Sequence, residues 1–350
     1  MINSFLIPYM PGVRVQNESL ALSFNTFPGT ENMLLNWNHF FSRHCLALFT
    51  GTTILIAGAD LNAQVIPGTG TRVEGSWDDF EDETWEYITN LPKSSTNVDK
   101  ETRYPLGQSS NGIWTESAKR GQPDMIQRVP TPPGGLPGSK GALLMKSLHT
   151  GVPGQGSRGS NQDDLIMSGT MVSVNYSPSV VTRVYIPPFE EWEDKTGTSF
   201  GFRAAVKAPT TTKGSGRRFF SRGPTTKIET IYLGMFIQFN SKTDNPGAED
   251  SAVFVVRADT SGQDFIGPEI KQTGWWTLGM SFTPDGRTHY YASPGVDPLT
   301  HADRFASHYP YGSRVQSFHT AFFNVCNQDN GRTWSTEWII DDPTMYYISQ

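Results

Sequence analysis

Apolar and polar positions alternate most regularly between Thr273 and Ala292, TGWWTLGMSFTPDGRTHYYA. Taking every second residue puts Trp276, Leu278, Met280 and Phe282 on one face and Trp275, Thr277, Gly279 and Ser281 on the other, the period of a half-buried strand. Thr283-Pro284-Asp285-Gly286 then supplies turn chemistry, with Pro pre-setting φ and Gly able to take a positive φ, before a second β-rich run from Thr288 to Tyr291. The pattern predicts an antiparallel hairpin. Two strands alone are not stable in water, so more sheet must lie beside them and something must cover their apolar face. Further strand-like runs, separated by turn residues, cover Ala142 to Ser147, Met171 to Tyr176, Val180 to Pro187, Ser199 to Val206, Thr230 to Phe239, Ser251 to Arg257, Ser317 to Val325 and Trp338 to Ile348. Thr230 to Phe239 is apolar on both faces and reads as a central strand. No segment of comparable length keeps a period of 3.6, and no internal repeat is visible. The prediction is an all-β chain folded as a two-sheet antiparallel sandwich of the jelly-roll kind.

Two stretches interrupt this picture. Leu91 to Gly141 is dominated by Pro, Gly, Ser and Asn, with Pro130-Thr131-Pro132-Pro133-Gly134-Gly135-Leu136-Pro137-Gly138 at the extreme, and is expected to be a long loop packed on the domain through Trp114 and Met125 to Val129. At the other end of the chain, Met33 opens a short region with Arg43 and His44, followed by an apolar run from Cys45 to Ala59 and small residues at Ala57, Ala59 and Ala63. That is the pattern of a secretory signal, its apolar run of about 15 residues falling short of the roughly 20 that span a bilayer. Residues 1–63 are therefore expected to be an N-terminal extension plus a signal peptide, and residues 64–350 one domain, exported to the periplasm, the cell surface or the medium.

Composition narrows the partners. A formal charge of −6 over 350 residues offers no general attraction to nucleic acid or to an anionic membrane. With Cys45 in the signal, Cys326 stands alone, so stability must come from a core or a metal rather than from disulfides. Arg72 to Tyr87 (RVEGSWDDFEDETWEY) mixes aromatics and carboxylates so densely that something must compensate its charge.

The order of Trp, alternating apolar strand, Pro-Asp-Gly turn and Tyr-rich strand at Trp276 to Tyr291 resembles the corresponding hairpin of concanavalin A-like lectin/glucanase domains, the laminin-G-like branch in particular. The opening Asp78-Asp79-Phe80-Glu81 and the closing Trp338-Ile339-Ile340-Asp341-Asp342-Pro343 resemble the first and last strands of secreted carbohydrate-active jelly rolls, and galactose-binding-like domains open and close in much the same way. The resemblance implies a sugar or calcium site and no particular reaction.

Candidate chemistry is sparse. The alternating Glu-x-Asp-x-x-Glu strand of retaining glucanases is missing, and Glu81, Glu83 and Glu86 lack its spacing. Arg203, His289, Tyr291 and His319 fall on predicted strands, where Tyr and His can serve as acid and base if they meet in a groove. No Ser-His-Asp motif and no zinc spacing occurs. Asp79 and Glu81 at one end and Asp341 and Asp342 at the other would supply oxygen ligands to calcium if the first and last strands are neighbours. Lys207 to Lys227 reverses the sign of the chain, with Arg217, Arg218 and Arg222 around Phe219 and Phe220, a composition suited to an anionic polysaccharide. Trp275 and Tyr290, with Trp334 and Tyr291, are the aromatics a sugar could stack on. The expected function is carbohydrate binding by a monomer, the ligand a polysaccharide, anionic if the basic loop holds it. A polysaccharide lyase or glycoside hydrolase, and an adhesion module of the cell envelope, are the rivals.

Overall fold

A computed structural model describes residues 65–151, 161–212, 225–257, 264–328 and 331–349. The signal and extension expected in residues 1–63, and Arg217, Arg218 and Arg222, lie outside the described residues. In chain order the strands are β1 (Thr71–Trp77), β2 (Tyr87–Ile88), β3 (Gln108–Ser109), β4 (Trp114–Glu116), β5 (Met125–Pro130), β6 (Gly141–Lys146), β7 (Gln162–Met167), β8 (Val172–Ser173) and β9 (Ser179–Ile186). They continue with β10 (Gly197–Thr212), β11 (Thr225–Asn240), β12 (Ser251–Arg257), β13 (Asp264–Ile270), β14 (Gly274–Phe282), β15 (Thr288–Pro294), β16 (Arg304–His308), β17 (Ser317–Cys326) and β18 (Trp338–Tyr347). Among the described residues no helix is long and apolar enough to cross a membrane.

The strands form two antiparallel sheets packed as a jelly-roll sandwich. One has eight strands in the order β16-β15-β14-β9-β18-β6-β5, with β1 also paired to β18; the other has ten, in the order β13-β12-β11-β10-β17-β7-β4-β3-β2, with β8 also paired to β17. Sequence neighbours are often not spatial neighbours: β9 sits between β14 and β18, and β10 between β11 and β17, so the chain crosses repeatedly from sheet to sheet. The core lies between them. Phe200, Phe202, Ala204 and Val206 of β10 and Leu233, Met235, Ile237 and Phe239 of β11 face Trp276, Leu278, Met280 and Phe282 of β14 across the gap. Aromatic pairs join the sheets: Phe200 stacks on Trp338 at 4.7 Å, Phe282 on Phe318 at 4.8 Å, and Phe254 meets Trp276 edge-on at 5.3 Å.

The turn at Thr283 to Gly286 closes as its composition demands. Gly286 N–H donates to Thr283 O at 2.8 Å and Gly286 sits at φ +83°, the positive φ that follows a type I turn in a three-residue hairpin loop. The second face of β14 is also buried, contrary to the half-exposed strand its alternation predicts. A Cβ added at Gly279 would lie 2.6 Å from Leu299 Cδ1 and 2.7 Å from Pro67 Cβ, so the segments around residues 67 and 299 cover that face and leave room only for glycine.

Other departures have physical causes. The Pro/Gly-rich stretch predicted as one long loop contains β3, β4 and β5, which pair without strong propensity because the edges of larger sheets await them. β7 begins Gln162-Asp163-Asp164, a polar start for a strand, because both carboxylates are neutralised by tertiary partners. β11 is central only in its second half; Thr225 to Glu229 are exposed and pair with the far end of β10 beyond the reach of β17.

Candidate functional site

Period two along β10 turns Arg203, Ala205 and Lys207 away from the core that Phe202, Ala204 and Val206 fill. The same alternation brings Tyr232 of β11, Phe322 of β17 and Asp164 and Ile166 of β7 onto that outer face. Together with Lys119 and Arg120, which follow β4, they line a groove of about 530 Å³ on the ten-stranded sheet. His319 lines it too. The register between β10 and β17 slips between Ala205 and Val206, leaving His319 as the unpaired residue of a bulge, exposed at the groove.

Arg203 is the centre of this face. Its Nη2 donates to Tyr232 O at 2.8 Å and its Nη1 to Asn324 Oδ1 at 3.4 Å, while the guanidinium lies 5.3 Å from the ring centroid of Phe236 and 5.1 Å from that of Phe322. Asp164 accepts from Asn324 Nδ2 at 2.6 Å and Gln162 Nε2 at 2.9 Å and has Arg120 Nε at 3.8 Å. Burial pushes the Asp164 carboxyl up against the opposing pull of Arg203 and Arg120, and burial pulls the Arg203 guanidinium down. Donors still exceed acceptors: Arg203 Nε and Arg120 Nη1 have no hydrogen-bond partner. Lys119 Nζ lies 4.8 Å from the Tyr232 ring centroid and donates to its hydroxyl at 3.2 Å. The groove thus combines the exposed Lys119 ammonium, the partly exposed Arg120 guanidinium, the Tyr232 ring and hydroxyl and an exposed imidazole. Such a surface can hold the carboxylate, sulfate or hydroxyl groups of a ligand whose ring lies on Tyr232.

One wall depends on a buried cation. Lys93 is fully buried, with Nζ 2.6 Å from Asp163 Oδ2 and 2.9 Å from Asp124 Oδ1, and donates to His149 O at 2.6 Å. This ammonium ties the segment after residue 92 to β7. Three and four residues on, Thr96 N–H donates to Ala118 O at 3.1 Å and Asn97 N–H to Lys119 O at 3.2 Å, which sets Asn97, Ala118 and Lys119 along the groove. No short-range pattern in the sequence marks Lys93, Arg120, Asp164 or Tyr232; the excess of basic residues around 119 and 120 beside a strand was the one available signal.

The other expected site residues are dispersed. Arg203 and His319 share the groove, but His289 and Tyr291 belong to β15 of the opposite sheet. His289 is 6% exposed, held between Thr283 Oγ1 at 3.0 Å and Ser307 Oγ at 2.9 Å, and burial pulls it down to about 4. The Tyr291 ring is fully buried, with its hydroxyl 3.4 Å from Val65 O. Of the four stacking candidates Trp334 alone is exposed, and it lines a different cavity; Trp275 and Tyr290, like Tyr291, are not on the surface. Tyr290 points into the core, and Trp275 is 5% exposed beneath the Pro/Gly-rich segment, donating from Nε1 to Pro132 O at 3.2 Å with Gly135 against its ring. The reason is common to both: alternation gives two faces, and here both faces are covered.

The acidic ends meet, since β1 pairs with β18 and Asp78 N–H donates to Pro343 O at 3.2 Å. Their carboxylates do not fit a calcium site. Glu81 Oε1 accepts from Lys140 N–H at 2.8 Å and Gly141 N–H at 3.2 Å, Asp79 Oδ1 from Glu81 N–H at 3.2 Å, and Asp341 from Ser139 Oγ at 2.8 Å and Asp342 N–H at 2.9 Å. Asp342 faces Arg183, which opposes the upward push of burial, Asp79 and Glu81 on its carboxyl. Among the described residues no group of His, Cys, Asp or Glu has the geometry to hold a metal ion. Asp78 explains how the acidic opening segment folds: it accepts from the indoles of Trp114 at 2.8 Å and Trp85 at 3.1 Å and from Asn111 Nδ2 at 2.9 Å.

No protein-family model matches the chain, and no curated protein matches it. Among solved structures it is similar to the binding domain of botulinum neurotoxin DC in complex with rat synaptotagmin II (11% identity over 71% of this chain, TM-score 0.34), of which it spans 47%. It is also similar to an alginate lyase (7% identity, 59% of this chain and 75% of that one, TM-score 0.35) and to a beta-glucanase catalytic domain from Podospora anserina (14% identity, 76% and 86%, TM-score 0.36). Scores this low leave the chemistry to be argued from the chain's own residues.

Proposed function

We propose that this chain is an exported carbohydrate-binding protein of concanavalin A-like type that holds an anionic polysaccharide in the groove of its ten-stranded sheet. The observation that carries the reading is the groove itself, in which the exposed Lys119 ammonium and the partly exposed Arg120 guanidinium stand beside the Tyr232 ring and the exposed His319, over the largely buried Arg203 guanidinium. A uronate or sulfate group would pair with Lys119 and the accessible side of Arg120, and a sugar face would lie on the Tyr232 ring. Arg217, Arg218 and Arg222 occupy the sequence between β10 and β11 and would add to the attraction for an anionic ligand.

The test is a panel of acidic and neutral glycans measured at low and high salt. Arg120→Ala should weaken acidic-glycan binding by about 10- to 100-fold, the loss of one charged hydrogen bond of roughly 1.5–3 kcal/mol. Neutral glycans should bind with little salt dependence. Equal binding of acidic glycans by wild type and variant would end the proposal.

A lyase is the second reading, favoured by the exposed His319 and the Tyr232 hydroxyl beside Arg203. In it the guanidinium would offset the uronate charge while one of imidazole and phenol takes the proton from carbon 5 and the other protonates the leaving glycosidic oxygen on carbon 4, so that the C–O bond breaks as the C4=C5 double bond forms. Its test is the ultraviolet absorbance of an unsaturated product; none appearing from any acidic glycan that binds would leave a binding module.

A further inference from the structure

A second cavity, of about 440 Å³, opens between the segment that follows β9 and the one that precedes β18. Its charge is opposite to that of the groove. Glu191, Glu193, Asp194 and Glu337 line it with a single cation, Lys146. Trp334 lines it as well and is 39% exposed, an indole that gains nothing from standing in water. Lys146 shows what the site favours: its Nζ lies 5.2 Å from the Trp334 ring centroid and is paired with the Glu337 carboxylate. Glu193 is 7% exposed and gives one oxygen to the backbone N–H of Gln328 at 2.8 Å, while burial pushes its carboxyl up to about 7. No described cation lies within ion-pair distance of Glu191, Glu193 or Asp194.

We propose that this cavity is a binding site for an alkylammonium group, with the Trp334 face and the surrounding carboxylates as its receptor and the Lys146 ammonium as a tethered competitor. A ring face attracts a cation through its quadrupole, carboxylates supply the counter-charge, and a cavity this size accommodates the carbon skeleton that carries the amine. A metal ion is the poorer occupant because the carboxylates do not converge with metal-holding geometry.

The experiment titrates the full chain with n-butylammonium chloride at constant ionic strength, with n-butanol as the neutral isostere. Binding is read from tryptophan fluorescence, and Trp334→Phe serves as the reference because the chain has nine Trp. Butylammonium should quench saturably in the wild type but not in the reference, and butanol should not quench. Glu191→Gln should weaken binding by about tenfold, the factor carried by one charged contact of roughly 1.4 kcal/mol. Lys146→Met should tighten binding, a gain that a merely structural role for Lys146 does not predict. Trp334, Glu191 and Lys146 reach the surface, so the fold is not at stake. Quenching by butanol equal to that by butylammonium would overturn the proposal, as would no saturable quenching in either the wild type or Lys146→Met. Acidic-glycan binding in the groove should be unchanged in all three variants, which keeps this test separate from that of the proposed function.

Discussion

Lys93→Met removes the only cation from a buried site that holds two carboxylates. Asp163 is fully buried and Asp124 has 17% of its side chain exposed, and they lie 2.6 and 2.9 Å from the ammonium that would be lost. Breaking a buried pair from one side costs about 3–5 kcal/mol, because the remaining charge stays out of water without compensation. Met keeps most of the stem volume, so little of the loss is packing. At roughly 2–4 °C per kcal/mol for a domain of this size, the melting temperature should fall by about 6–20 °C. The pH dependence carries the sign of the argument. Burial already pushes Asp163 up to about 7 despite the Lys93 charge, and removing that charge pushes it higher. A carboxyl raised in the folded state contributes stability below its unfolded pKa and loses it as pH rises through the folded value. The variant should therefore be less impaired near about pH 5 than near about pH 8. Urea unfolding followed by circular dichroism at both pH values measures it. A loss below about 1 kcal/mol at the higher pH, or a loss that grows on acidification, would refute the reasoning. Asn97 and Lys119 share the wall that Lys93 secures, so the variant should also bind groove ligands more weakly at temperatures where it remains folded.

Four other outcomes are expected. His289, pulled from 6.5 to about 4, leaves the unfolded chain to take the proton first, so stability should fall by about 3 kcal/mol as pH drops from 6.5 to 4; chemical denaturation across that range, with His289→Asn lacking the slope, checks it. Gly286→Ala forces a Cβ to within 2.7 Å of Arg314 Cβ at φ +83° and should cost at least about 1–2 kcal/mol, read as a lower denaturation midpoint. Arg217→Ala combined with Arg218→Ala and Arg222→Ala should flatten the salt dependence of acidic-glycan binding, and an unchanged slope would remove those residues from the ligand site. The acidic ends are held by backbone N–H groups, Ser139 and Arg183, so the melting temperature should not respond to chelator; a rise with added calcium would restore the metal reading.

The strands were legible wherever side chains repeat with period two, because that period follows from backbone geometry whatever the neighbours are. β12 was placed residue for residue, and β6, β9, β14 and β17 within one residue or two. The all-β class and the hairpin turn at Pro284-Asp285-Gly286 follow from the same local rules. Alternation does not say how many layers cover a strand, and this is why Trp275, Tyr290 and Tyr291 read as surface candidates. The segment around residues 65–67 reaches Tyr291 and the Pro132 to Gly135 segment reaches Trp275 from far along the chain, while Tyr290 faces the core. Composition alone could mark Asp79, Glu81, Asp341 and Asp342 as neighbours in waiting, but not that backbone N–H groups and Ser139 would occupy oxygens of Asp79, Glu81 and Asp341. The groove was the least legible feature of all. Arg120, Asp164, Arg203, Tyr232, His319 and Phe322 come from segments spread over 203 positions, and what unites them is the strand order β11-β10-β17-β7, with Lys93 anchoring the wall beside it. Local sequence decides which way a side chain points from its own strand; which strands stand together depends on burying both sheets' apolar faces at once, and only the folded chain solves that.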